Sequence, residues 1–470
     1  MTTAPRPPLS LLGLAWPLII SFTLRSLLTA VDLPYASQLE DPDAAIAAIG
    51  LAFPLEFTFI ACWVGASSAL TSYLSRAMGE RDAAKLEQLL RTARSIVVAL
   101  AALFILGAGG CYAAAPYLDV APAVRDNFRI YAPILLLGAA TVGFWSILPD
   151  SLVKAHHDMK TTMLAGLTTG VTNLALNTLF VFGFGWGITG IAIATACGRF
   201  GGFLVSWLRC RTLEAARAAE WKDLPAPARP HAPLERPLVA LLALAVPSAL
   251  TYVLMGSENL FANWVLLSYA ADEAEATACV AAYAIYHRAT LLFLMPVIAV
   301  AVAVNPFVAR AYGGGQLDQI KRGLRQGYLY ALAYGLVFAF PLCLLVGEPL
   351  AAFLSKAETT KDLAALAVRY GVPLGVLTAG PFLLARPAFE AVQRGAPGLI
   401  MSALRYVVLA VPCGLLGIQL AGSAGHPPLV GLIAGLVSAT AVVSLLISGW
   451  LLAMVRGLRA EEPNSAPSAG

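Results

Sequence analysis

Apolar runs of membrane-crossing length recur along the whole chain, separated by short polar breaks. A hydrocarbon core of about 30 Å takes roughly 20 residues of helix at 1.5 Å each. Twelve segments have that character: 11–36, 46–74, 93–114, 128–152, 161–183, 187–208, 238–268, 278–309, 323–346, 365–388, 397–421 and 428–455. The pattern predicts an all-α polytopic membrane protein of twelve transmembrane helices. One long polar interruption, Arg209 to Pro237, carries the tract PAPARPHAPLERP, whose prolines favour an extended linker. It divides the segments six and six. The expected organisation is an amino-terminal bundle over 1–208, a linker over 209–237, a carboxy-terminal bundle over 238–455 and a tail over 456–470.

The first segment is not uniformly apolar. Ser21, Arg25, Thr29 and Asp32 fall at i, i+4, i+8 and i+11, on one face of a helix. An ionised side chain at the bilayer centre costs about 2.5–3.5 kcal/mol or more, so this stripe should face protein or a water-filled cavity. Such a helix belongs beside a pathway; the plainer alternative is an Arg25–Asp32 pair that only locks packing. Pro34 follows closely and frees backbone groups one turn earlier to help line a polar site.

The two groups of six look like copies. Ala15-Trp16-Pro17 answers to Ala245-Val246-Pro247 near the start of each half. Arg76-Ala77-Met78-Gly79 answers to Arg310-Ala311-Tyr312-Gly313 after the second segment, and Arg129-x-x-x-Pro133 to Arg369-x-x-x-Pro373 opening the fourth. An even number of spans per copy gives both copies the same orientation, hence a pseudo-two-fold along the membrane normal with a cleft between the halves.

Charge then sets the orientation. Short loops on one side, with the linker and the termini, hold 21 Lys and Arg; those on the other hold four, Arg125, Arg129, Lys356 and Lys361, beside the acidic groups Glu40-Asp41-x-Asp43 and Asp272-Glu273-x-Glu275. By the positive-inside rule both termini and the linker are expected in the cytoplasm. Composition agrees with a membrane protein: 59% hydrophobic and 12% charged, against about 25% charged in soluble domains. A net charge of +4 spread over loops gives no nucleic-acid surface. The seven cysteines are scattered without C-x-x-C spacing and read as small core hydrophobes. No H-E-x-x-H, G-x-S-x-G or P-loop sequence is present, so neither hydrolysis nor ATP use is indicated, and the chain is not expected to be an enzyme.

With the repeat in place, several stretches resemble the multidrug and toxic compound extrusion (MATE) transporters, most closely the prokaryotic DinF-like branch. They are AAIGLAFPLEFTFIACWVGASSALTSYLSRAMGERD and its second-half partner AAYAIYHRATLLFLMPVIAVAVAVNPFVARAYGGGQLD, the connector HDMKTTM at 157–163, the passage NLALNTLFVFGFGWGITGIAIAT at 173–195, and AFEAVQRGAPGLIMSALR at 388–405. In the connector His157 and Thr162 replace the family's Gly and Pro, and Glu390 stands where Gln is commoner.

The resemblance implies a secondary antiporter that exports organic compounds against inward H⁺ or Na⁺ flow, with no other cofactor. It also implies an ion-coupling set in the first half. Asp32 matches the first-helix carboxylate, Asn173 and Asn177 match an Asn and an Asp on the fifth helix, and Thr195 matches a sixth-helix hydroxyl. Asn177 thus replaces one carboxylate, which affects Na⁺ coordination at Asp32 more than protonation. Asp150 is a candidate to restore the charge; a position near the cytoplasmic surface is the alternative. As buried amides, Asn173 and Asn177 could equally be interhelical glue.

In the second half Glu258 is expected to be buried and to need a partner. Arg288 and Arg405 match family positions, with structural pairing to Glu390 or to helix carbonyls as their plainer role. Arg25, Phe53, Tyr252 and Tyr283 are cleft candidates, the aromatic rings suited to stacking and cation–π contact. Glu56 has no assigned role, and Arg199 reads as structural or snorkelling. The expectation is a monomeric exporter of lipophilic, often cationic, molecules in a bacterial inner membrane, with lipid around it. A lipid-linked precursor flippase of the same superfamily is the alternative.

Overall fold

The computed structural model describes residues 10–28, 32–222, 234–355 and 357–458; the side chains at 25, 27, 28, 32 and 33 lie outside the description. Helices follow one another almost without interruption: α1 (Leu11–Leu28), α2 (Pro42–Glu80), α3 (Ala83–Tyr117), α4 (Pro122–Ala155), α5 (Met159–Gly183), α6 (Gly187–Lys222), α7 (Pro237–Tyr269), α8 (Glu273–Gly313), α9 (Leu317–Leu354), α10 (Glu358–Ala391), α11 (Ala396–Ser423) and α12 (Pro428–Gly457). Eleven are long and apolar enough to cross a bilayer, and α1 contributes the shorter apolar stretch Leu11–Leu24. Of the span expected over 11–36, the described residues form helix over Leu11–Leu28 and over Asp32–Ala36; residues 29–31 lie outside the description.

Local sequence explains the boundaries. Asp41, Asp82, Asp158 and Asp272 each sit just before a helix, and each carboxylate accepts from the amide three residues on, in Ala44, Lys85, Thr161 and Glu275. That satisfies one of the amides a helix start leaves open. Five helices contain a π-helical stretch, in α4 (139–143), α5 (179–183), α9 (334–339), α10 (367–371) and α11 (404–409). Such insertions re-aim the side chains around them and are frequent at functional sites.

The expected linker is shorter than its composition suggests. α6 continues through Lys222, so residues 209–222 are helical; the proline-rich core, 223–233, lies outside the described residues. The chain re-emerges at Leu234, whose backbone N–H donates to the side-chain amide of Gln88 on α3 at 3.1 Å and whose carbonyl accepts from it at 2.8 Å.

The amino-terminal bundle is centred on edge-to-face contacts of Phe144 with Phe59 and Phe104, at 5.1 and 4.8 Å between centroids. In the carboxy-terminal bundle α11 and α12 approach until a Cβ at Gly417 would collide with the carbonyl of Gly431.

The seam between the bundles carries the repeat into three dimensions. A Cβ at Gly79 would collide with the carbonyl of Arg310, and one at Gly313 with the carbonyl of Arg76. The two glycines are the equivalent ends of the repeated Arg-Ala-x-Gly motif, so each copy packs on the backbone of the other. The connectors after α4 and α10 also mirror one another. His157 and Gln393 both adopt positive φ, 61° and 63°. His157 Nε2 lies 3.1 Å from the Pro306 carbonyl on α8, while Gln393 Oε1 accepts from Arg76 on α2 at 2.7 Å. Arg310 completes the set by donating to the Ala155 carbonyl at 3.3 Å.

Gly79→Ala tests this seam. The neighbour in the way is backbone and cannot swing aside, so overpacking should cost about 1–3 kcal/mol of the joined arrangement. Spin labels on the ends of α2 and α8 should show a longer inter-bundle distance; an unchanged distance would refute the close approach.

Candidate functional site

Polar side chains at membrane depth gather in separate clusters. In the first bundle Asn173 and Asn177 lie one turn apart on α5. Asn177 is fully buried, and its Nδ2 donates to Asn173 Oδ1 at 3.3 Å. Asn173 Nδ2 donates in turn to Thr195 Oγ1 on α6 at 3.2 Å, while that hydroxyl donates back to the Ile191 carbonyl at 3.1 Å. Gly198 permits this closeness, since a Cβ there would lie 2.8 Å from the Thr169 carbonyl. The three expected residues are therefore one connected chain of neutral groups. It can cradle an ion or a carboxylate but cannot itself change charge.

The short helix after α1 is docked beside this chain. The Tyr35 hydroxyl is 2.5 Å from Thr178 Oγ1 and donates to the Leu174 carbonyl at 3.4 Å. Asp32 and Arg25 stand on the segments so positioned, and their side chains lie outside the described residues.

Asp150 belongs elsewhere. It is buried and paired with Lys154 at 2.5 Å, and it accepts from Ser67 on α2 at 3.4 Å. The Lys154 ammonium also lies 5.3 Å from the centre of the Trp63 ring. Asp150, the candidate to restore the charge, is thus buried against α2 with Lys154, one turn along α4, as its counter-ion.

A second ion pair lies closer to the asparagine chain. Arg199 is one turn from Thr195 on α6 and reaches Glu56 on α2 at 2.8 Å, with its guanidinium 4.5 Å from the centre of the Phe59 ring. Sequence reasoning gave Glu56 no role and took Arg199 alone. The missed signal was that each is an ionisable residue in the middle of an apolar run, which calls for a partner.

In the second bundle Glu258 does find its expected partner, and it is Arg405, at 3.2 Å. Arg405 lies in the π-helical stretch of α11, donates to Thr440 at 2.8 Å and covers the Tyr406 ring at 4.1 Å. Beside this pair Asn259 is 3.1 Å from His287 Nε2 and accepts from the hydroxyl of buried Tyr283 at 3.4 Å. Arg405 does not pair with Glu390. Glu390 belongs to Arg386, one turn back on α10 at 3.5 Å, and accepts a short hydrogen bond from Ser68 on α2. Arg386 also stacks over Tyr252 at 4.9 Å, so Tyr252 is engaged. Arg288 is exposed on α8, and Phe53, 63% exposed, stacks on Phe57 at 6.1 Å between centroids.

Among the described residues, the side-chain hydrogen bonds between the bundles are all in the half that carries the basic loops. They join Ser68 and Ser72 to Glu390, Ser68 to Asn305, Tyr73 to Ala240, Arg76 to Gln393, His157 to Pro306 and Arg310 to Ala155. The bundles are latched at that face.

His157 in this latch has its pKa lowered to about 4, first by burial and then by the nearby Arg310 charge. The folded state therefore resists a proton that the unfolded chain accepts near pH 6.5. Stability should fall as pH drops from about 6.5 to about 4 and level off below. Thermal melts in detergent across that window should show the fall, and His157→Asn, which keeps an N–H donor, should flatten it.

Comparison with known proteins shows the family to which this fold belongs. The MatE family model matches residues 17–179 and 247–416, one match in each bundle. A Shewanella oneidensis protein described as an FAD transporter is 25% identical over 435 residues, covering 88% of this chain and 89% of its own. A probable multidrug resistance protein NorM of Bradyrhizobium diazoefficiens is 31% identical over 223 residues, 45% of this chain and 44% of its own. The crystal structure of a mutant of the Vibrio cholerae MATE transporter VcmN superposes with a TM-score of 0.80 at 24% identity, covering 96% of this chain and 97% of that one. With twelve helices in two repeated bundles and the family model matching most of both, the chain is a member of the MATE family of membrane transporters.

Proposed function

We propose that this transporter is a secondary antiporter that exports flat, lipophilic organic molecules in exchange for protons, with the latched face and both termini in the cytoplasm. The observation that carries the reading is the one-sided latch. Two bundles whose side-chain hydrogen bonds to one another, among the described residues, are all at one face have the geometry of one end state of alternating access, in which closing the other face requires this latch to break. The asparagine chain supplies a polar cradle at membrane depth, and Asp32, on the segment docked beside it, is the group proposed to carry the proton. The 21 to 4 distribution of basic residues supports the orientation. A monomer suffices, since both bundles are in one chain.

Efflux from proteoliposomes tests this, with pH and Na⁺ gradients imposed separately and a panel of flat cationic dyes inside. Dye loss driven by the pH gradient supports the reading; loss driven only by Na⁺ would replace the proton with sodium at the same site.

A second reading concerns the cargo. The relative aligned over most of this chain is described as an FAD transporter, and Arg288 is an exposed cation on a membrane-crossing helix. A flat anion bearing phosphate would suit it. FAD in place of the dyes discriminates the two, and Arg288→Gln should reduce FAD movement without affecting cationic dyes.

A further inference from the structure

The Glu56–Arg199 pair lies one turn along α6 from Thr195 of the neutral asparagine chain, and nothing in the pathway so far uses it. Its position follows from the helices. Glu56, Trp63 and Ser67 fall at i, i+7 and i+11 on α2, along one stripe. Trp63 donates to Ser146 on α4 at 2.9 Å, and Ser67 reaches Asp150 there. The stripe therefore faces the interior of the first bundle. On the opposite wall Arg199 lies one turn from Thr195, which holds Asn173. The two ions differ in access: the Arg199 side chain is 15% exposed and that of Glu56 35%. The carboxylate is the open partner, and the guanidinium, against the Phe59 ring, is the held one.

Arg288 is exposed on α8, whereas the buried ionisable groups described on the helices around α2 are paired or bonded. Asp150 is paired with Lys154, Glu258 with Arg405 and Glu390 with Arg386, while His287 is bonded to Asn259. Asp32 stands on the docked segment, its side chain outside the described residues.

We propose that Glu56 is a second proton-binding site of the first bundle, with Arg199 as the positioning residue that sets when it loads. The proposal rests on the antiport reading above. A proton from water adds to a Glu56 carboxylate oxygen, the ion pair to Arg199 is lost, and α2 is released from α6. The freed guanidinium is left one turn from Thr195, so loading Glu56 changes the charge presented to the asparagine chain. On deprotonation the pair re-forms and draws the helices together.

Infrared difference spectra of the reconstituted full-length protein, taken between mildly alkaline and mildly acidic pH, read carboxyl protonation directly. One protonated-carboxyl component of the wild type should be missing in Glu56→Gln. In Arg199→Gln the ionised-carboxylate band that Glu56 contributes should be displaced, because the guanidinium that donates to it is gone. Should Glu56→Gln fold poorly, comparing Arg199→Gln with the double variant Glu56→Gln/Arg199→Gln isolates the protonated-carboxyl component of Glu56 without an unpaired cation. A spectrum with no component lost on removing Glu56 overturns the proposal. In the transport assay Glu56→Gln should lose about tenfold in pH-driven efflux while keeping dye binding. Wild-type efflux indifferent to the pH gradient would sink the antiport reading, and the infrared component would still decide Glu56.

Discussion

Asp32→Asn should leave a protein that inserts and binds substrate yet exports nothing against a gradient. Coupled export requires that loading the ion favour one facing state over the other, and the shift available is bounded by the difference in affinity between the states. Reversing a 1:99 equilibrium takes about 5.5 kcal/mol, on the scale of a buried charge appearing or vanishing. Asparagine keeps the size and the hydrogen-bonding capacity of Asp32 but never changes charge, so this term goes to zero. Asn177→Ala should do less. It removes a donor to Asn173 worth about 1 kcal/mol, roughly a fivefold loss. The measurement is dye efflux from proteoliposomes under an imposed pH gradient, with dye binding in detergent as the control for folding. Full proton-driven efflux by Asp32→Asn would reject it as the coupling group.

Twelve spans, the six-six repeat and the family were legible because each rests on one-dimensional information: apolar run length, spacing of repeated residues and ordered motifs. The repeat was legible even in its function, since Gly79 and Gly313 recur for a packing reason that only the contact between copies reveals. Ion-pair partners were not legible. Glu258 with Arg405 joins residues 147 apart, and Glu56 with Arg199 joins residues 143 apart; neither spacing repeats anything along the chain. The Asp150–Lys154 pair was missed for a simpler reason: the two sit four residues apart, the spacing at which helical ion pairs form, but Asp150 was read without its neighbour. The linker's first half was misread because composition marks polarity, and a polar stretch can still be helix, as residues 209–222 are.

Lys154→Met should be among the most destabilising single changes in the first bundle. The Lys154 and Asp150 side chains are each 10% exposed, so neither has water enough to replace the other. Removing one member of a buried pair strands the other's charge and costs about 3–5 kcal/mol, whereas the intact pair contributes little net stability against an apolar pair of like volume. Asp150→Asn should cost less, because the ammonium it leaves behind still lies over the Trp63 ring and keeps that attraction. The double variant Asp150→Asn/Lys154→Met should recover most of the loss, giving a coupling energy of several kcal/mol in a double-mutant cycle read by denaturant unfolding in micelles. The same double variant decides what Asp150 is for. If the pair only braces α4 against α2, proton-driven efflux survives its removal; if efflux disappears while stability recovers, Asp150 takes part in coupling and its pairing with Lys154 is one state of a switch.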